Sequence, residues 1–188
     1  MKIFLTLVLI FITSQSFAQE TSNPFDVQVS VRSIDDRIYI QAAYSAPMNI
    51  CKAYAFITDY EGSKNIPGIV EAKVISRSGS KVRVYRVIEE QILFFPVEMK
   101  SIVEYTELAN KSLTFEQVSG DMKSYKGSWK LLEDKDRVIF KYDAQVEPNS
   151  IIPSMIIEYF IKNSVRGRFE AMAQRANQYR SLETISCK

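Results

Sequence analysis

Arg86 is the residue of this sequence whose type and position most directly suggest binding chemistry. It follows the alternation of Val82, Val84 and Ile88, which places it on the apolar face of a candidate strand. A buried guanidinium without a partner is unfavourable, so this side chain needs a polar or anionic contact. Three interpretations stay open. A carboxylate pairs with Arg86 at the mouth of a barrel that the strands would form, a local bulge turns the side chain outward, or it binds the carbonyl, carboxylate or phosphate of a ligand.

The rest of the composition argues against most catalytic centres. The chain contains no histidine, which excludes Ser-His and Cys-His nucleophilic systems and removes the most common metal ligand. Two cysteines and six glycines form neither a zinc motif nor a phosphate-binding loop. Carboxylates remain at Glu89-Glu90, Glu104 and Glu107, but charges at strand ends and on wet faces are usually solvated. We therefore predict no catalytic residue, no metal site and no cofactor.

Alternation also defines the sheet face that would point inward, which begins with Val70, Ala72 and Val74. Tyrosine, tryptophan, serine and glutamine interrupt its apolar residues, and a few polar groups in an apolar lining are typical of ligand sites. The alternative is a solid core in which these side chains only pack. The candidate ligand-binding residues, from the strands and a C-terminal helix, are Val84, Arg86, Met99, Ser101, Tyr105, Phe115, Gln117, Tyr125, Trp129, Phe140, Tyr142, Phe160 and Ser164.

The elements that position these residues begin with a hairpin. Residues 27–31 and 38–44 alternate with a period of two and predict its strands. Pro47 favours the first turn of a helix, and residues 48–59 carry apolar side chains at helical spacing. Residues 60–68 contain two glycines and a proline, which indicates a short second helix or a loop.

Six further strands predict an antiparallel meander, because short, turn-rich segments separate them. The predicted strands cover residues 70–76, 81–90, 97–108, 111–119, 123–132 and 137–146. Residues 151–182 then predict one long amphipathic helix. A sheet with one apolar face has to be covered, and only this helix is long enough. We therefore predict an α+β fold in which a curved antiparallel sheet of about seven strands, plus one N-terminal strand, surrounds the helix.

Several short motifs, taken in order, resemble START-like domains. They are Tyr44-Ser45-Ala46-Pro47, then Ala-Phe-Ile-Thr-Asp-Tyr-Glu at residues 55–61, Ile-Pro-Gly-Ile-Val at 66–70, and Gly127-Ser128-Trp129-Lys130-Leu131. The sequence most resembles the coenzyme-Q-binding and polyketide cyclase/dehydrase branch of the SRPBCC superfamily, over residues 38–176. The resemblance implies a helix-grip fold, with an apolar tunnel between the curved sheet and the closing helix and two short helices after the first strands.

Members of this superfamily bind lipids, quinones, sterols or polyketides, and some are enzymes. The resemblance therefore implies an apolar cavity for a hydrophobic or amphipathic small molecule, without a single catalytic signature. Our leading hypothesis is an exported carrier or sensor of a lipid, quinone or isoprenoid. One alternative is a cyclase/dehydratase-type enzyme acting on a polyketide-like substrate, in which Tyr105, Tyr125 or Glu90 would supply the acid and base.

Another alternative is an envelope interaction protein without a ligand. It would use the outer sheet face or the basic positions of the last helix on anionic membranes, but acidic residues interrupt that basic side, which favours a solvated face. Those basic positions are Lys162, Arg166, Arg168 and Arg175. We expect a monomer that makes at most transient contact with a membrane surface. The formal charge of +2 does not suggest a nucleic-acid partner.

The N-terminus has the layout of a secretory signal: Lys2, an apolar run over residues 3–12, and a small-x-small ending at Ser16 and Ala18. The run is about half as long as a membrane-spanning helix. We predict cleavage after Ala18 and a soluble protein in the periplasm or outside the cell. Residues 19–36 then form an extension with the extra strand, 37–182 the START-like domain and 183–188 a tail.

Cys51 and Cys187 both follow the predicted cleavage point. In an oxidising compartment two cysteines can form one disulfide, which here would link the first helix to the C-terminal tail. The alternative is two unrelated thiols, one buried and one in a frayed segment.

Overall fold

The computed structural model describes residues 25–92 and 94–179, and every structural statement below refers to them. The strands are β1 Gln28–Ile34, β2 Arg37–Ala46, β3 Ile69–Ser78, β4 Lys81–Ile92, β5 Phe95–Leu108, β6 Ser112–Gly120, β7 Ser124–Asp134 and β8 Arg137–Glu147. The helices are α1 Ile50–Ile57 and α2 Ser154–Tyr179, and a short 3-10 helix covers Glu61–Asn65.

All eight strands form one antiparallel sheet in the order β1-β2-β8-β7-β6-β5-β4-β3. Tight turns produce the meander from β3 to β8, and residues with positive φ occupy three of them: Gly79, Asn110 and Lys135. Asp35, also with positive φ, lies in the turn between β1 and β2. The pairing of β2 with β8 adds the N-terminal hairpin to the end of this meander. The edge strands, β1 and β3, do not pair with each other, so the sheet is open and does not close into a barrel.

Helix α2 lies across the concave side and contacts both ends of this sheet. Near its start, Ser154 Oγ donates a hydrogen bond to the Asp35 carbonyl at 2.8 Å, and Glu158 accepts one from the Ser33 amide at 2.5 Å. Farther along, Arg168 contacts β4 through Glu90. A curved antiparallel sheet around a long C-terminal helix, preceded by two short helices, confirms the predicted α+β helix-grip fold.

The core fills the space between α2 and the sheet. Tyr44 of β2 and Phe140 of β8 are almost completely buried, and their rings stack with centroids 4.6 Å apart. The buried positions of α2 recur every three or four residues, which gives the helix its apolar stripe. They include Ile161, Val165, Phe169, Ala173 and Ala176.

Two predicted positions differ from the structure. Helix α2 begins at Ser154, not at 151. The residue that precedes Pro153 is sterically kept out of the helical conformation, and the Pro153 carbonyl accepts the first hydrogen bonds of the helix. Ile151 is fully exposed as a result. Val70 does not point inward: the register of β3 shifts next to it, and 57% of this residue is exposed.

No helix in the described ranges is long and apolar enough to cross a membrane. The predicted export signal with cleavage after Ala18, the start of the extension, the C-terminal tail and Cys187 lie outside the described residues. Cys51 lies on the buried face of α1. Its pairing with Cys187 therefore stays a prediction.

Candidate functional site

The sheet and α2 enclose a cavity with two adjoining chambers. The α1-side chamber, beneath α1 and the 3-10 helix, has a volume of about 150 Å³. The hairpin-side chamber, near the β4–β5 and β6–β7 turns and the β8–α2 connection, has a volume of about 380 Å³. Both chambers share the side chains Ile40, Ile88, Tyr125, Tyr142, Val165 and Arg168. The two volumes therefore form one continuous candidate site.

Aromatic rings form one wall of the α1-side chamber. Tyr142 is at the centre of this group, with ring centroids 4.8 Å from Trp129, 5.2 Å from Phe169 and 5.7 Å from Phe115. Gly127 of β7 lets the Phe115 ring approach, because a Cβ at position 127 would lie 2.6 Å from that ring. The Gly-x-Trp motif thus provides, on one strand, the space above Gly127 that the Phe115 ring occupies and the Trp129 ring that lines the chamber.

Arg86 enters the α1-side chamber from β4. The pairing of β4 with β5 is continuous from Lys81 to Ile92, so no bulge on that side turns the side chain outward. Its Nη1 donates a hydrogen bond to Tyr105 Oη at 2.9 Å, whereas its buried Nε has no partner. None of the ion pairs among the described residues includes Arg86. Two of the three interpretations from sequence, an outward bulge and a carboxylate partner, are therefore not observed in the described structure.

Tyrosine hydroxyls lie close to this guanidinium. Tyr125 Oη and Tyr142 Oη are 2.9 Å apart. Burial raises the pKa of Tyr125 to about 12, and burial also raises the pKa of Tyr142 well above its ordinary value. Burial alone would lower the pKa of Arg86, but the surrounding phenolic groups outweigh it and the pKa rises. At neutral pH the Arg86 guanidinium is therefore a positive charge beside the neutral hydroxyl groups of Tyr125 and Tyr142.

A second arginine, Arg168 of α2, lies where the chambers meet and has many partners. Its Nη1 contacts Glu90 of β4 in an ion pair, and Ser164 Oγ donates to the other Glu90 oxygen at 2.8 Å. Arg168 also donates to the Pro67 carbonyl at 2.8 Å and the Glu89 carbonyl at 3.1 Å. This cluster holds α2 against β4 and against the segment that leads into β3.

These contacts bear on the enzyme alternative. Glu90 is engaged by two donors, so it is poorly placed to act as a general base. The raised pKa of Tyr125 makes its phenol a hydrogen-bond donor near neutral pH. The groups around Arg86 offer hydrogen-bond donors to an acceptor group on a ligand, whereas Glu90, the carboxylate considered as acid or base, is held in structural contacts.

Two carboxylates considered from sequence have structural contacts. Glu107 accepts hydrogen bonds from Tyr54 at 3.0 Å and from Tyr60 at 2.7 Å, which attaches α1 and the 3-10 helix to β5. Burial, followed by the Glu107 hydrogen bond, raises the pKa of Tyr54 to about 12. Glu104 on the outer face pairs with Lys81 and Arg83.

Eight of the thirteen candidate residues line the cavity. Tyr125 and Tyr142 border both chambers, and Met99 borders the hairpin-side chamber. The α1-side chamber brings the other five together: Val84, Arg86, Tyr105, Phe115 and Trp129. The sequence pattern thus located the deep wall of the cavity.

The remaining five candidates do not line either chamber. Ser101 and Phe140 are buried in the core, and Gln117 donates to the Met122 carbonyl at 2.7 Å. The Phe160 ring packs against Tyr159 with centroids 5.3 Å apart. Ser164 hydrogen-bonds Glu90 instead of facing the cavity.

Sequence reasoning missed most of the lining that comes from α1, the 3-10 helix and α2. These residues include Phe56, Tyr60, Ile66, Met172 and Arg168. Helical spacing contained a usable signal for α2, because Arg168 follows Ser164 by four residues and Val165 by three. The sequence places Arg168 and Arg175 on the basic side of the helix, but both bond within the molecule, and Arg175 donates to the Gly62 carbonyl at 2.8 Å.

Large apolar side chains are exposed around the hairpin-side chamber. Phe94 and Phe95, at the β4–β5 turn, are 89% and 68% exposed. Ile151 precedes α2 and Met155 lies in its first turn, and both are mostly exposed. Chamber residues Ile92 and Val97 flank the same turn, and Ile152 follows Ile151. We call Phe94, Phe95, Ile151, Met155 and the exposed Tyr159 the apolar rim.

Solved structures share this architecture. A STAR-related lipid transfer protein fragment from Xanthomonas axonopodis has 15% identity and a TM-score of 0.66, over 81% of this chain and 94% of that chain. A START superfamily protein from Mycobacterium smegmatis has 14% identity and a TM-score of 0.60, over 74% and 97%. The Zhui aromatase/cyclase from a Streptomyces species has 8% identity and a TM-score of 0.64, over 76% and 94%. At these identities the likeness concerns the fold.

The sequence itself matches one family model over residues 46–173, from the end of β2 to the last turns of α2. No curated protein sequence matches the chain significantly. The matched segment contains α1, the meander and the part of α2 that lines the cavity. The chain therefore belongs to the family of polyketide cyclases/dehydrases and lipid transport proteins.

Proposed function

We propose that this protein binds a hydrophobic or amphipathic small molecule, such as a lipid, quinone or isoprenoid, in the two-chamber cavity. The observation that carries the proposal is a cavity in which a mainly aliphatic chamber of about 380 Å³ adjoins an aromatic chamber that contains one unpaired polar atom, Arg86 Nε. Such a combination of apolar walls and few polar groups is typical of small-molecule sites. A ligand chain in the hairpin-side chamber would gain roughly 25 cal/mol for each Å² of apolar surface removed from water.

The proposal includes export of the chain and action as a monomeric carrier or sensor. It is supported by the layout of residues 1–18, which are typical of a signal peptide. Apolar molecules need a carrier where they have to cross water outside the cell. Export would also place Cys51 and Cys187 in an oxidising compartment, where we propose that they form a disulfide. Intact mass after alkylation without reduction tests this bond, and two alkylated thiols in exported protein would contradict it.

The direct test of the function is to identify what the purified protein carries. Native mass spectrometry should show a bound small molecule, and extraction with organic solvent should release it. After extraction, the neutral fluorescent probe N-phenyl-1-naphthylamine should bind with increased emission. Absence of both a co-purified molecule and probe binding would contradict the proposed function.

A pair of matched variants on α2 locates the bound molecule. Ile157 lines the hairpin-side chamber, and its neighbour Ile156 is exposed and does not line it. Ile157→Trp should fill part of the chamber and lower probe affinity about tenfold or more, because a clash with the bound molecule would cost at least ~1.4 kcal/mol. Ile156→Trp should leave the affinity unchanged. Equal affinities for both variants would place the ligand elsewhere.

We also propose that the apolar rim makes transient contact with a lipid bilayer. Each of its residues lies within two positions in sequence of a side chain that lines the hairpin-side chamber, so a molecule that leaves this chamber would pass directly into lipid. Large exposed apolar groups of this kind are typical of interaction surfaces. The basic helix positions are less suitable, because Arg168 and Arg175 are engaged within the molecule.

Liposome flotation tests this contact. Wild-type protein should float with neutral phosphatidylcholine vesicles, and the fraction bound should change little with salt, because apolar contacts are not screened. The double variant Phe94→Ser/Ile151→Ser should lose flotation. Leu108→Ser, which removes an exposed apolar side chain at the far end of β5, serves as the matched control. Loss of flotation at high salt would instead favour the charged helix face.

A further inference from the structure

The chemistry of the bound molecule can be argued from the groups that surround Arg86. Its Nε is buried without a partner, and its Nη1 contacts only a neutral phenol, Tyr105. A buried guanidinium usually has an anionic partner, because its desolvation is otherwise uncompensated. The described part of the chain provides none within ion-pair distance.

The other charged groups of the α1-side chamber are already engaged. Asp59 accepts a hydrogen bond from the Gly62 amide at 3.0 Å, close to the 3-10 helix. Arg168 pairs with Glu90, and Arg175 donates to the Gly62 carbonyl. Arg86 and Arg175 therefore have no carboxylate partner among the described residues, and of the two only Arg86 has a buried N–H without a hydrogen-bond partner.

The hydroxyls beside Arg86 add donors of the same kind. Tyr125 and Tyr142 are hydrogen-bonded to each other, which leaves one of their two protons free for another acceptor. Burial keeps both phenols protonated, since it raises the pKa of each. A guanidinium edge and a phenolic proton together match a group with two acceptor oxygens and one negative charge.

The space around this point is asymmetric. The α1-side chamber is small and aromatic, whereas the larger hairpin-side chamber is mainly aliphatic, with Ile38, Ile92 and Ile161 in its wall. Its carboxylates have partners of their own: Glu90 pairs with Arg168, Glu98 with Lys100, and Asp121 accepts from the Lys100 amide. The two chambers meet at Ile88, two residues from Arg86 on the same face of β4. A head group at Arg86 therefore has a direct path for an apolar chain into the larger chamber.

We infer that the bound molecule is a monoanionic amphiphile, a carboxylic acid whose carboxylate contacts Arg86 and whose apolar chain occupies the hairpin-side chamber. The one guanidinium with an unpartnered buried N–H, that of Arg86, matches one carboxylate better than the higher charge of a phosphate monoester. This inference rests on the proposed function, and it concerns only which member of the class of apolar ligands is selected.

Calorimetric titration of the solvent-extracted protein with dodecanoic acid and its methyl ester at about pH 7.5 tests the inference. The two probes share one chain and differ in the head group. A hydrogen bond with a charged group is worth about 1.5–3 kcal/mol, so the acid should bind roughly 10- to 100-fold more tightly than the ester. Equal affinities for acid and ester overturn the inference, although the proposed function survives, because the ester still binds. Failure of both compounds and of the neutral probe contradicts the proposed function itself.

Variants of Arg86 identify the group responsible. Arg86→Met should lower the affinity for the acid to that of the ester and leave the affinity for the ester unchanged. Arg83→Met is the matched control, because Arg83 lies on the opposite face of β4, where it pairs with Glu104, and this variant should keep the full preference. A preference for the acid that persists in Arg86→Met overturns the inference.

Two further measurements complete the test. If Arg86→Met does not fold, Arg86→Lys keeps the charge but loses the planar fork, and should reduce the preference for the acid severalfold. An unchanged preference in that variant overturns the role of Arg86. Dodecyl phosphate should bind no more tightly than dodecanoic acid, and a tenfold tighter complex would overturn the assignment of a carboxylate.

Discussion

The regions around Arg86 and Arg168 contain the same functional group in two different situations. Arg168 has a carboxylate, two carbonyl oxygens and a neighbouring serine that completes the contacts of Glu90. Arg86 has one phenol and a buried Nε without a partner. Both line the α1-side chamber. The difference indicates that Arg168 supports the fold, whereas Arg86 remains available to a ligand.

The largest expected effect is the loss of stability in Arg168→Ala. Glu90 is 6% exposed, so removal of its partner leaves a buried charge, which typically costs about 3–5 kcal/mol in the free energy of unfolding. Urea denaturation measures this change. Arg166→Ala removes an exposed partner of Glu170, 4.0 Å away, and should cost less than about 1 kcal/mol. Similar values for both variants would mean that the Arg168 contacts are not structural.

A second prediction concerns pH and the tyrosines beside Arg86. In the unfolded chain Tyr125 loses its proton near pH 10, whereas the folded protein keeps it up to about pH 12. Folded protein therefore binds more protons in this window, and the free energy of unfolding should fall as pH rises from about 10 to about 12. The share of Tyr125 is about 2–3 kcal/mol.

Urea titrations at several pH values, together with tyrosinate absorbance, measure this loss. Tyr125→Phe should show a shallower decrease between pH 10 and 12 than the wild type. The same slope in both proteins would show that Tyr125 is less protected by burial than its position between the chambers indicates.

The third prediction has the opposite sign to the first. Arg86→Met should leave the free energy of unfolding of ligand-free protein unchanged or raise it by about 1 kcal/mol, because an unpaired buried charge is replaced by an apolar chain of similar length. Denaturation of solvent-extracted protein measures it. Arg83→Met, on the wet face of the same strand, provides the reference. A loss comparable with that of Arg168→Ala would remove the distinction between the two arginines.

The smallest effect is expected at Tyr44. Its hydroxyl is buried without a hydrogen-bond partner in the described part of the chain, and the residue lines neither chamber. Tyr44→Phe should be neutral or stabilise the protein by less than about 1 kcal/mol, because an unsatisfied polar atom is removed. It should not change ligand affinity. A change in ligand affinity would instead mean that the site includes Tyr44 of β2. It would also contradict the contrast between Arg86, which faces the cavity, and the buried Tyr44 hydroxyl, which does not.

The sequence predicted the sheet well because strand alternation and turn residues are local signals. The inward register of β4 gave the orientation of Arg86. The prediction that Val70 points inward was wrong, because the strand register shifts next to Ile69 and the alternation of faces changes there. No residue type in this part of the sequence indicates such a shift.

The cavity wall formed by the helices was much harder to predict. A strand alternates between two faces, but a helix has a broad boundary between its buried and exposed sides, and polar residues at that boundary can point either way. Arg168 lies at this boundary, and only its distance to Glu90 on another element shows its role. Phe56 and Tyr60 depend in the same way on how α1 and the 3-10 helix pack over the sheet.

The separate edges of the sheet have a consequence for how such a cavity changes during evolution. In a closed barrel, the number and stagger of strands set the interior width. Here β1 and β3 do not pair, and α2 lies across the open side, so the distance between helix and sheet follows the size of the helix side chains. Successive turns of α2, from Ile157 to Met172, face first one chamber and then the other. A few substitutions along one helix can therefore adapt the protein to a longer or shorter cargo while every strand pairing is conserved.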